Sequence, residues 1–224
     1  MNRFFAIGDI HGCYKTLNKL LFEVIDIKVT DEIYCVGDYI DRGPDSKGVI
    51  DLILFLNNQG FRIHTLRGNH EQMMLDAFNG GAPYYKWLAN GGDATMNSFK
   101  VNSMQDIDSQ YYNFLQQTLY YIEIQDYILV HAALNFTNDN LFEDKEAMLW
   151  ERDIKIDKQK LNGRIMVHGN TPEPFNIIMS QLNQPDISVI DIDGGCVYKG
   201  KPGMGNLFAL DLAGKKLISV DNID

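Results

Sequence analysis

Over its first seventy residues the chain alternates between short runs rich in apolar residues and stretches in which apolar residues return every three or four positions. Phe4-Phe5-Ala6-Ile7 is such a run, the pattern of a strand buried on both faces. Leu17, Leu20, Leu21 and Val24 follow at helical spacing and predict an amphipathic helix. Residues 32–36 predict a second strand, and 62–66 a third. Between them, 46–58 predicts a helix with Ser46 as its N-cap, after a loop that ends at Pro44. This alternation predicts a largely parallel, helix-covered sheet, in which ligands lie outside the carboxyl ends of the strands.

Residues 79–118 break the pattern. Gly80-Gly81, Pro83, the aromatics Tyr84, Tyr85 and Trp87, and Asn90-Gly91-Gly92 predict loops and short helices. These form either a lid beside a site or a peripheral packing module. Farther on, the period shifts toward two. Residues 120–124 and 127–130, flanking Gln125-Asp126, predict a hairpin, and 164–167, 188–192, 207–210 and 216–220 predict further strands. The expected fold class is mixed α/β, with two packed β-sheets flanked by helices. A single domain is expected over residues 1–224, with the lid or insert around 79–118.

Composition narrows the function. Hydrophobic residues make up 45% of the chain and charged residues 22%, enough for a sizeable core. The formal net charge is −10, the sequence pI is about 4.9, and no basic cluster occurs, which speaks against a nucleic-acid or membrane partner. An anionic phosphate substrate would then need local positive charge from divalent metals and arginine. The cysteines Cys13, Cys35 and Cys196 show no CxxC pairing and suit a reducing cytosol, with Cys35 a small core residue. No signal-peptide pattern opens the chain, and its longest apolar stretch, 52–56, falls far short of the ~20 residues that span a bilayer. The expected location is cytoplasmic.

The chemistry sits in three blocks, each after a predicted strand: Gly8-Asp9-Ile10-His11-Gly12, Gly37-Asp38-Tyr39-Ile40-Asp41-Arg42-Gly43 and Gly68-Asn69-His70-Glu71. Asp38 lies 29 residues after Asp9 and Asn69 lies 31 after Asp38, close to the roughly 30 residues of a βαβ unit. Carboxylate, imidazole and amide oxygen are the ligands of hard divalent cations, and gathered at neighbouring strand ends they predict a two-metal hydrolytic site. Asp9 and His11, two apart, would share one metal if their segment is extended. Asp38 would bridge both metals, and Asn69 would serve the second. His131 and the segment Val167-His168-Gly169-Asn170-Thr171 complete the candidates. A lone histidine beside a strand is more often structural, and His64 keeps that reading. Four histidines at strand ends (His11, His70, His131, His168) among two aspartates and an asparagine reverse it. Arg42 offers a guanidinium fork to phosphate oxygens. His70 would protonate a leaving alkoxide, with Asp41 holding its tautomer. Taken alone, Asp41-Arg42-Gly43-Pro44 is a turn sequence; beside the other blocks it is catalytic.

On these residues the chain resembles the calcineurin-like metallophosphoesterases, in particular the phosphoprotein-phosphatase branch and its small bacterial and lambda-type serine/threonine phosphatases. The family pattern GDxHG, GDxxDRG, GNHE matches in order and spacing. His131-Ala132-Ala133-Leu134 resembles HAGL, Leu149-Trp150-Glu151-Arg152 a tryptophan-arginine element, Val167-His168-Gly169-Asn170-Thr171-Pro172 the VHGHTP segment, and Ile192-Asp193-Gly194-Gly195 the IDTG segment. The resemblance implies a first metal on Asp9, His11 and Asp38. It implies a second on Asp38, Asn69, His131 and Asn170. Manganese is the expected metal, with iron, zinc or magnesium as alternatives. His70 and Asp41 would form the general-acid pair, and Arg42 and Arg152 would hold the phosphate, assisted by Asn69. Where the family has a metal-binding histidine, this chain has Asn170, an oxygen in place of an imidazole nitrogen. His168, two residues away, faces the same side only if the segment is extended.

The implied reaction is phosphomonoester hydrolysis on a phosphorylated protein, peptide or small phosphoester. By the resemblance, a hydroxide held between two metals would attack in line, and His70 would protonate the leaving oxygen. Two alternatives stand beside it. One is a diadenosine polyphosphate or nucleotide hydrolase, with Tyr84, Tyr85 or Trp87 stacking on a base. The other is a catalytically weak phosphate-binding variant, suggested by Asn170.

Overall fold

The predicted strands form close to their expected bounds. The computed structural model describes residues 2–153 and 155–224. Its strands are β1 (Phe4–Ile7), β2 (Glu32–Cys35), β3 (Arg62–Thr65), β4 (Tyr121–Ile124), β5 (Tyr127–Val130), β6 (Ile165–His168), β7 (Val189–Asp191), β8 (Asn206–Asp211) and β9 (Lys216–Asp221). One sheet has the order β3-β2-β1-β8-β9 and the other β4-β5-β6-β7. In the first, β1, β2 and β3 run parallel while β8 and β9 are antiparallel additions. In the second, β4 and β5 form the expected hairpin, but β5, β6 and β7 run parallel. Helices Lys145–Trp150, Lys158–Leu161 and Phe175–Leu182, unmarked by any helical period in the sequence, occupy the crossovers.

Strand residues alternate between cores, as burial on both faces requires. Ile33 and Cys35 of β2 enter the layer under the first-half helices, while Tyr34 and the following Val36 enter the layer between the sheets. Tyr127 and Leu129 of β5 face the same inter-sheet layer, and Ile128 and Val130 face a third beside Met148 and Leu161. Three apolar layers thus separate helix, sheet, sheet and helix. Cys35 is a core residue, and burial pushes its thiol up to about 12.

Two local expectations need correction. The first helix is α-helical only over Tyr14–Lys19 and continues as a π-helix over Leu20–Ile25. The wider turn shifts the inward face by one position, so Ile25 is buried while Val24 is 44% exposed. The helix Ser46–Asn58 has Asp45, not Ser46, as N-cap, its carboxylate accepting from Gly48 N at 2.9 Å. The Ser46 hydroxyl is otherwise engaged, accepting from Asp41 N at 3.0 Å. Residues 79–118 are largely helical (Ala82–Trp87, Leu88–Gly92, Asp93–Phe99, Ser109–Gln117) and send Trp87, Met96, Tyr111 and Leu115 into the first core layer. Among the described residues no helix is long and apolar enough to cross a membrane.

Candidate metal centre and active site

Both sheets aim the carboxyl ends of their parallel strands at one place. Asp9 and His11 follow β1, Asp38 follows β2, and Asn69 and His70 open the helix Asn69–Ala77 after β3. His131 follows β5, Asn170 follows β6 and Asp193 follows β7. All eight are at most 4% exposed. The backbone pays conformational strain to present them: His11 (φ 46°), Asp38 (52°), Asp41 (70°), Arg42 (68°) and Asn170 (65°) are left-handed, which costs about 1–3 kcal/mol each. Two motif glycines are needed for close approach. A Cβ on Gly68 would lie 2.1 Å from Asp38 Oδ1, and one on Gly169 would lie 2.0 Å from Asp9 Oδ1.

The left-handed residues also undo the alternation argument. Since His11 is not extended, Asp9 and His11 fall into different clusters. One gathers His11, Asp38 and His70, and the other Asp9, Asp38 and His131, with ligand atoms within 4.8 Å of one another in each. Asp38 belongs to both, its oxygens divided between them. Oδ2 lies 3.3 Å from His11 Nε2, and Oδ1 lies 3.5 Å from His131 Nε2. Neither cluster includes His168, whose Nδ1 bonds to Gly169 O at 2.9 Å, and the φ of Asn170 ends the extended geometry that would have set the two side by side.

Backbone carbonyls set the tautomers. His11 Nδ1 donates to Ile40 O at 2.8 Å and His131 Nδ1 to Val36 O at 3.1 Å, so each turns an Nε2 lone pair inward. Burial holds both rings neutral, pushing His11 down to about 3, with Arg42 and His70 adding to the effect. Burial and the charges of Asp193 and Asp38 push Asp9 well above the usual carboxylate range, and burial pushes Asp193 up to about 7. Such crowded carboxylates call for positive charge. Among the described residues four buried side-chain atoms have no hydrogen-bond partner: Asp9 Oδ1, Asn69 Oδ1, His131 Nε2 and Asn170 Nδ2. The first three are lone-pair acceptors in a buried O,N set, and they fit divalent cations.

His70 also belongs to a second network. His70 Nδ1 lies 2.7 Å from Asp41 Oδ2, and that carboxylate also accepts from Trp87 Nε1 (3.0 Å) and Thr95 Oγ1 (2.6 Å). Arg42 Nη1 donates to His11 Nε2 at 2.7 Å, and its guanidinium lies 5.8 Å from the Tyr198 ring centroid. Arg152 is exposed, its backbone N–H bonded to Glu151 Oε1 at 2.8 Å, and its charge contributes to the depression of His131 after burial. Of the aromatics considered for base stacking, Trp87 is fully buried against Asp41 while Tyr85 is 70% exposed.

Sequence reasoning missed three contributors besides Thr95. Glu71, fully buried, accepts from Gly68 N, Asp38 N and Tyr39 N, each at 2.8 Å, and so ties the second block to the third. Its place three residues after the helix N-cap is a readable capping signal. Burial and the Asp38 charge push it up to about 8. Asp193 lies against Asp9, and Tyr198 against Arg42, across separations that no local pattern reveals.

A family model described as calcineurin-like phosphoesterase matches residues 2–212. The chain is 44% identical to serine/threonine-protein phosphatase 1 of Salmonella typhimurium over 88 residues, 39% of this chain and 38% of that one. It is 32% identical over 130 residues to the symmetrical bis(5'-nucleosyl)-tetraphosphatase of Dechloromonas aromatica, 58% of this chain and 43% of that one. In each case the match spans less than half of the relative's length. The structure of a serine/threonine phosphatase from Saccharomyces cerevisiae superposes with a TM-score of 0.67 at 14% identity, covering all of this chain and 81% of the other, a likeness of fold. Since the family match takes in almost the whole length over which these strand ends and loops are laid out, the chain belongs to the calcineurin-like phosphoesterases.

Proposed function

We propose that this protein is a metal-dependent phosphomonoester hydrolase acting on phosphoserine or phosphothreonine in proteins. The observation that carries the reading is Asp38, whose two oxygens serve two buried clusters, one of which contains the Asp41-bonded His70 and lies against Arg42. Asp9, His11, Asp38, Asn69 and His131 would hold two divalent ions, with manganese the expected metal. When bound, such ions lower the pKa of water and offset the charge of the phosphoryl oxygens. The chain's own residues do the rest. Arg42 and Arg152 bind the phosphate, Asn69 assists them, and their charge opposes the net −10 of the chain. His70 donates its proton to the leaving oxygen, held in orientation by Asp41. Three free, buried thiols suit a reducing compartment, and we place the reaction in the cytoplasm.

His70→Asn is expected to lower kcat on alkyl phosphates, including phosphoserine peptides, about 10²–10⁴-fold. On aryl phosphates, whose leaving groups need little protonation, the loss should be much smaller. Equal losses on both would remove His70 from the acid role. The tetraphosphatase relative supports a second reading, cleavage of bis-nucleosyl polyphosphates. Phosphopeptide, aryl phosphate and dinucleotide assayed side by side decide between them.

A further inference from the structure

Of the four buried atoms without a partner, three are lone-pair acceptors. The fourth, Asn170 Nδ2, is a donor, and a cation does not satisfy it. Asn170 is 4% exposed, and a buried amide donor left unpaired costs about 1–3 kcal/mol. Its place is held from both sides. The backbone N–H of Asn170 donates to Asp9 Oδ2 at 3.0 Å, and its Oδ1 accepts from Asn69 Nδ2 at 2.9 Å. Turning the Asn170 amide alone would set donor against donor across that pair. Turning both amides would keep the bond between them and exchange the two free atoms, putting an N–H on Asn69 and the lone pair on Asn170. In the structure Asn69 Oδ1 and Asn170 Nδ2 are the atoms left free together, with Asn69, at the head of the helix after β3, presenting the oxygen. One is chemically matched to a cation and the other to an anion's oxygen.

We propose that Asn170 is a substrate-binding residue, its Nδ2 donating to a phosphoryl oxygen while its Oδ1 keeps the Asn69 amide turned oxygen-inward. The assignment rests on the phosphoester reading above and changes the part the family resemblance implies for this position. A neutral donor at this point contacts the transferred group and adds no charge to an already crowded set of carboxylates.

Two substitutions separate the roles without straining the backbone at φ 65°. Asn170→Asp keeps the acceptor for Asn69 and replaces the donor, and aspartate tolerates left-handed geometry. Asn170→Gly removes both groups, and glycine adopts this φ freely. Metal content is measured by elemental analysis after equilibration with limiting Mn²⁺, and inorganic phosphate affinity by calorimetry on the Mn²⁺-loaded proteins. Both variants are expected to bind phosphate at least tenfold more weakly, with metal content in Asn170→Asp at or above that of the unsubstituted protein. Phosphate affinity within twofold of the unsubstituted protein in either variant overturns the proposal. So does an unsubstituted protein that takes up metal but no phosphate, or a glycine variant that loses metal while its loaded fraction binds phosphate normally. Turnover of an aryl phosphate by the unsubstituted protein is measured first. Its absence would sink the hydrolase reading, and the phosphate affinities would still decide the part of Asn170.

Discussion

Thr95 lies 54 residues from the aspartate it serves, and replacing it with valine tests how the acid pair is held. The Asp41 carboxylate is fully buried and accepts from His70, Trp87 and Thr95, the last at 2.6 Å. Burial pushes Asp41 upward, and the bonds from His70 and Thr95 oppose that push. Valine keeps the branched shape and removes the hydroxyl, which also accepts from Asp41 N at 2.9 Å and meets Ser46 Oγ at 3.0 Å; the charge-assisted bond to the carboxylate alone is worth about 1.5–3 kcal/mol. At 2–4 °C per kcal/mol for a chain of this size, Tm should fall by about 3–12 °C. A carboxylate less firmly ionised is a poorer partner for His70 Nδ1. If the same free energy is lost in proton donation, kcat on an alkyl phosphate falls about 10–150-fold. The assay compares alkyl and aryl phosphates under saturating Mn²⁺ for the unsubstituted protein, Thr95→Val and Thr95→Ser. Serine restores the hydroxyl and should recover most of the rate. An equal fall on both substrate types, or a serine variant as impaired as valine, would refute the reasoning and leave Thr95 a packing residue.

Gly169→Ala would drive its Cβ against Asp9 Oδ1 at 2.0 Å, and metal affinity by titration is expected to fall at least ~10-fold; an unchanged affinity would show that Asp9 does not bind metal in this position. A second expectation concerns acid stability. Burial pushes His168 down to about 4, against about 6.5 for an exposed imidazole, so between those values the unfolded chain holds a proton that the folded chain does not. Its contribution is therefore intact above pH 6.5 and lost as pH falls toward 4, amounting to about 2 kcal/mol between pH 7 and pH 5. In urea titrations at those two pH values, His168→Asn should narrow the stability difference by that amount, and an undiminished difference would count against a buried neutral ring.

What could be read from the chain and what could not divide along physical lines. Asp9, Asp38 and Asn69 were legible because parallel strands with helical crossovers space their carboxyl ends at nearly equal intervals, and a buried strand announces itself as an apolar run. The π-turn that exchanges Val24 for Ile25 was not, since a single extra residue per turn leaves the apolar composition of the segment unchanged. The parallel pairing of β5, β6 and β7 was hidden for a related reason: their crossovers include helices of only four to eight residues, too short for a helical period to stand out from the strands around them. Side-chain direction at the site was the least legible of all. The period-two argument requires extended backbone, and five residues of the site lie in the left-handed region, where neighbours in sequence point to unrelated places. Hence Asp9 and His11 part company, and Asn170 joins Asn69 across 101 residues instead of joining His168 across two. Spacing names the residues that can reach a site. The choice between ligand and donor at position 170 rests on which amide atom its neighbour has already used.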